Sequence, residues 1–123
     1  MLEAYSLNVA VGANSPIPFN AVSVEKGCTA ILTSPTTIEL NKAGVYMVEC
    51  DVSTATSNTI QLSKDGVLQP QAQSTGVTPS FTTLVQVDRN NTNCCCSSPV
   101  VLRVVLTTAG TLTDANVTVT KIC

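Results

Sequence analysis

The chain has 123 residues, a net charge of −2 and no histidine, and only 11% of its residues are charged. That length makes one domain, expected over residues 1–123. The scattered Lys26, Lys42, Lys64, Arg89, Arg103 and Lys121 form no basic stripe, which excludes a phosphate-tracking nucleic-acid binder, and no apolar run approaches the ~20 residues of a membrane-spanning helix.

No window repeats apolar residues at helical spacing, so the chain reads as strands throughout. Tyr5, Leu7, Val9 and Val11 alternate with polar or small residues, and Gly12 to Pro16 ends that strand. A second alternation runs from Phe19 to Val24, before the Glu25-Lys26-Gly27 turn. Short strands follow at Ala30 to Thr33 and at Thr37 to Leu40, with Lys42-Ala43-Gly44 turning the chain. From Val45 to Val52, Tyr46, Val48, Cys50 and Val52 take one face, while Glu49 and Asp51 share the other with Val45 and Met47.

Thr59 to Ser63 and Val67 to Gln71 flank Lys64-Asp65-Gly66. Asp-Gly between two strands predicts a hairpin, because the turn needs positive φ that Gly supplies freely. Phe81 to Asp88 puts Phe81, Thr83, Val85 and Val87 on one side, and a polar loop runs from Arg89 to Ser98. Val100 to Leu106 is apolar on both faces apart from Arg103, which predicts a central strand or a contact between copies. Thr108-Ala109-Gly110 turns, and Val117 to Ile122 closes the chain. Strands spaced every 8–12 residues or so indicate an antiparallel sandwich or barrel.

The order of these pieces carries a resemblance over roughly residues 30–123. Leu40, Gly44, Tyr46 and Val48 resemble the L-x-x-x-G-x-Y-x-V segment of the tumour necrosis factor and complement-head jelly rolls. Ile60-x-Leu62-x-x-Asp65-Gly66 is similar to the hairpin of that family, and Asn116 to Ile122 to its last strand. The resemblance implies an all-β antiparallel jelly-roll sandwich that forms a homotrimer, its last strands near the threefold axis. It points to the bacterial and viral branch, with heads on spore, surface or phage particles. The chain departs from the animal members in having only Tyr5, Phe19, Tyr46 and Phe81 as aromatics, so no receptor-binding residue is carried over. On this reading Val100, Leu102, Val104, Leu106, Val117 and Val119 are expected at the trimer interface.

The cysteines are Cys28, Cys50, Cys94, Cys95, Cys96 and Cys123. Cys50 shares a face with Tyr46 and Val48 and reads as a small buried hydrophobe. The others form a possible disulfide or thiol cluster. Free thiols, disulfides and a thiolate metal site all stay open, although adjacent cysteines match neither zinc spacing nor easy bridging. The Glu49 and Asp51 pair reads as the solvated face of a strand rather than a glycosidase couple. Asp88 to Asn93 reads as a polar loop rather than a calcium site. The sequons at Asn90 and Asn116 carry no assignment, since Met1 to Ala4 shows neither the basic start nor the apolar run of a secretory signal.

No catalytic residue, metal or cofactor is assigned, and without His no base near neutral pH is in view. The expectation is a structural or display protein on a virion, a trimeric phage capsid decoration or head-fibre protein assembled in the host cytoplasm. Its partners are its own copies and a capsid or other particle-surface protein, with no nucleic acid and no membrane. The alternative is a spore-surface or bacterial adhesin head, or a carbohydrate-binding module.

Overall fold

A computed structural model describes residues 1–27, 29–88 and 100–122. Among these residues every regular element is a strand. In chain order they are β1 (Leu2–Val11), β2 (Ser15–Pro16), β3 (Ala21–Glu25), β4 (Ala30–Ser34), β5 (Thr37–Leu40) and β6 (Gly44–Thr54). They continue as β7 (Asn58–Lys64), β8 (Val67–Gly76), β9 (Ser80–Val87), β10 (Val100–Leu106) and β11 (Gly110–Lys121).

The strands form two antiparallel sheets. The first has the order β3-β1-β11-β6-β9, and the second β4-β5-β10-β7-β8, with β2 paired to β10. Apart from the β4–β5 and β7–β8 hairpins, neighbouring strands are non-consecutive, because the chain crosses repeatedly from one sheet to the other. This is an antiparallel jelly-roll sandwich, as the resemblance implied.

Period-2 alternation selects what fills the space between the sheets. From β6 come Tyr46, Val48, Cys50 and Val52, from β11 Leu112, Ala115, Val117 and Val119, and from β9 Phe81, Val85 and Val87. The second sheet answers with Ile38, Leu40, Ile60, Leu62, Leu102, Val104 and Leu106. Aliphatic side chains therefore build most of the core, and Phe19 and Tyr46 are its largest fully buried members.

The hairpin between β7 and β8 turns at Asp65, φ +51°, and Gly66, φ +84°. Two successive positive φ values define the turn type that Asp-Gly favours. Asp65 also extends the ladder sideways: its N–H donates to the Val101 carbonyl at 2.8 Å, and its Oδ1 accepts from the Val101 N–H at 2.9 Å.

Three expected elements differ from the structure. Phe19 to Val24 is not one strand: Phe19 is buried in irregular chain, and pairing starts at Ala21. The last strand begins at Gly110 rather than Val117, since its first half is polar and its register against β6 shifts between Leu112 and Asp114. The strand after the Asp-Gly turn continues through Gly76, past the expected Gln71.

The outer face of the first sheet as a candidate interaction surface

Each core residue in a strand has neighbours that point the opposite way, so the inward set fixes the outward set. On β1 the outward positions are Glu3, Tyr5 and Leu7, and on β11 Asp114, Asn116, Thr118 and Thr120. On β6 they are Val45, Met47, Glu49, Asp51 and Ser53, and on β9 Ser80, Thr82, Leu84 and Gln86.

Register arranges these residues in rows across the sheet. One row runs Tyr5, Asn116, Asp51, Ser80. The next runs Glu3, Thr118, Glu49, Thr82, and the one after joins Thr120, Met47 and Leu84. Beyond it, Ile122 donates its N–H to the Val45 carbonyl at 2.8 Å and extends the apolar end of the face. Leu7 is 64% exposed, Leu84 58%, Ile122 49% and Tyr5 39%. Large apolar side chains gathered on one sheet face are the kind of exposure that marks a protein contact.

The six residues expected at the trimer interface lie elsewhere. Val100, Leu102, Val104 and Leu106 belong to β10, which sits between β5 and β7 in the second sheet, and they face the first sheet. Val117 and Val119 meet them from β11. All six are covered within one chain, none more than 9% exposed, so they are core residues and have no apolar surface left to offer a second copy. The two-faced apolarity of β10 arises differently: its outward Val101, Arg103 and Val105 are half-buried on the outer face of the second sheet.

Cys50 is fully buried. Burial pushes its thiol well above the ordinary cysteine range, and the neighbouring Asp51 carboxylate adds to the shift. It is a packing residue. The remaining members of the expected thiol cluster, Cys28, Cys94, Cys95, Cys96 and Cys123, lie outside the described residues, as does most of the Asp88 to Asn93 loop. The described residues that flank them gather at one end of the sandwich, around the β5–β6 turn. The Thr29 carbonyl accepts from the Asn41 N–H at 2.9 Å, Val100 pairs with Leu40, Val87 pairs with Gly44, and Ile122 bonds Val45. Among the described residues no group of three or more His, Cys, Asp or Glu could hold a metal ion.

Two polar clips hold connections that sequence reading did not single out. Asn58 is buried at the start of β7. Its Nδ2 donates to the Thr108 carbonyl at 2.7 Å, and its Oδ1 accepts from the Thr59 N–H at 2.8 Å and the Thr108 N–H at 3.2 Å. Ser6 donates to the Pro18 carbonyl at 2.6 Å and accepts from the Asn20 N–H at 2.9 Å. Tyr46, at the centre of the resemblance motif, donates its hydroxyl to the Lys42 carbonyl at 2.7 Å and so braces the turn before its own strand.

The fold has known counterparts. The globular domain of a zebrafish complement 1qA protein superposes with a TM-score of 0.78, at 10% identity, over 99% of this chain and 96% of the other. Murine APRIL gives 0.62 at 9% identity over 98% of each chain. Rabbit GITRL gives 0.60 at 10% identity over 100% of this chain and 95% of the other. No protein-family model and no curated protein sequence matches the chain. At such identities the likeness establishes the fold, the jelly roll of tumour necrosis factor and complement heads, and nothing finer.

Proposed function

We propose that this protein is a trimeric head displayed on a particle surface, in the first instance a phage capsid decoration or head-fibre protein. The observation that carries the association is the outer face of the first sheet. Tyr5, Leu7, Met47 and Leu84 stand outward there, while the alternate residues of the same strands complete the core. The face presents roughly 700 Å² if the residues of its five strands each cover ~3.3 Å by ~4.8 Å, close to the share one partner gives to a standard interface. Copies that meet across this face bring β11 close to the axis that relates them, in keeping with the resemblance.

The charge-poor exterior suits an exposed coat component, and the chain has no histidine to serve as a base. Its role is binding and display, with no turnover of a small molecule. Light scattering on the purified protein should give three times the 12.8 kDa chain mass. Leu84→Asp should dissociate it while leaving the circular dichroism of the sandwich unchanged, because Leu84 is not part of the core. Purified protein mixed with particles that lack it should sediment with them at a fixed, saturable stoichiometry. Failure to bind particles, together with retention on a glycan array, replaces the virion role with the adhesin or carbohydrate-binding one.

A further inference from the structure

The same face carries an excess of negative charge. Glu3, Glu49, Asp51 and Asp114 are four of the eight carboxylates in the chain, and all four take outward positions on the first sheet. Of the described bases, Lys26 continues the ladder opposite Met1, on the Glu3 side of the sheet, and Lys121 pairs with inward Tyr46, so carboxylates outnumber bases on this face. The carboxylates are close together. Glu49 and Asp51 are two residues apart on β6, roughly 7 Å along the strand. Glu3 and Glu49 lie opposite the same residue, Thr118, from its two sides, roughly 10 Å across. Asp114 stands one row beyond Asn116, between Leu7 and Ser53. Among the described residues Glu3 has one side-chain partner, Ser23 Oγ at 2.8 Å, and the other three have none.

We infer that association of copies across this face is gated by ionic strength: the apolar side chains hold the copies together, and the carboxylates interspersed among them hold the copies apart until the charge is screened or neutralised. The inference rests on the proposed trimer and adds its control. In the free chain water hydrates each carboxylate. A second copy removes that water, lowers the local dielectric and brings its own carboxylates near, so every term of the repulsion grows on contact. Mobile ions oppose it over a Debye length that falls from about 30 Å at 0.01 M to about 3 Å at 1 M. Contacts built on opposite charges weaken as salt rises. This one strengthens.

The test is sedimentation equilibrium at about 20 mM and about 500 mM sodium chloride, where the screening length differs several-fold. The wild-type association constant should rise roughly tenfold with salt, which places the effect on the scale of a few screened charge pairs. Glu49→Gln with Asp51→Asn should associate at low salt and lose most of the salt response. Glu39→Gln is the control: Glu39 faces outward on the second sheet, opposite Val101, so this variant should keep the wild-type response. A wild-type constant that is flat or falls with salt overturns the gate and leaves the trimer standing. So does a Glu39→Gln response that matches the double variant, since net charge alone would then account for it. Absence of association in wild type and double variant at both salt concentrations removes the trimer, and the gate with it.

Discussion

Asn58→Ala is the most demanding test of how this sandwich is held closed. Asn58 opens β7 in the second sheet, while Thr108 lies in the connection that carries the chain from β10 to β11, from the second sheet to the first. The side chain makes three hydrogen bonds, two of them to the backbone of Thr108, and it is buried. A net contribution of about 1 kcal/mol for each bond gives a loss of about 3 kcal/mol. An unfolding entropy of about 2.1 cal/mol/K per residue converts that, over 123 residues, to a fall in Tm of about 12 °C. The measurement is chemical and thermal unfolding followed by circular dichroism, at one fixed protomer concentration because assembly adds to apparent stability. Asn58→Asp refines it. The carboxylate keeps both acceptor bonds but turns an acceptor towards the Thr108 carbonyl in place of Nδ2, so it should also destabilise, despite its matching shape. A loss under about 0.5 kcal/mol for the alanine variant, the range of ordinary surface substitutions, would refute the reasoning.

Further outcomes follow from the same structure. Val104→Asp should unfold the chain rather than merely dissociate it, at a cost of several kcal/mol, because it places an unpaired charge among core residues; urea titration separates the two. Gly66→Ala should cost about 1 kcal/mol by equilibrium unfolding, since φ at Gly66 is +84° and an L side chain is strained there. Native alkylation followed by peptide mass spectrometry should leave Cys50 unmodified, whereas denatured protein is modified there; Cys94, Cys95 and Cys96 changed together to Ser should leave fold and assembly intact if they are loop thiols. Burial raises Cys50 and also raises Tyr46 above its ordinary value, so the native state favours their protonated forms. Their contribution is present in full below the unfolded thiol value of about 8.5 and is lost as pH rises above it, so midpoints measured from pH 7 to 11 should fall at the alkaline end.

What the sequence made legible, and what it hid, separates along a physical line. Local constraints read correctly. Tyr46, Val48, Cys50 and Val52 turn inward because alternate residues of a strand share a face, and Asp65-Gly66 turns the chain because positive φ is cheap for Gly. Non-local constraints did not read. The first half of β11 carries only Leu112 and Ala115 towards the core, and the register shift after Leu112 breaks the alternation that would have revealed the strand. Nothing near Asn58 in sequence announces a partner 50 residues away.

The expected interface residues turn out to be buried within one chain, for a related reason. Apolarity on both faces of β10 suggested that Val100, Leu102, Val104 and Leu106 met another copy. Alternation cannot say which face looks inward until the opposite sheet is in place. Once β11 and β6 are known to lie across the core from β10, the inward set is consumed by the sandwich. Any contact with another protein must then come from residues the core does not use. On the first sheet those are Tyr5, Leu7, Met47 and Leu84 beside Glu3, Glu49, Asp51 and Asp114. The side chains that can adhere and those that repel are thus products of one alternation, interspersed on the same strands. On the proposed trimer, a substitution that moves the balance between them, at Leu84 or at Asp51, should act on assembly without entering the core.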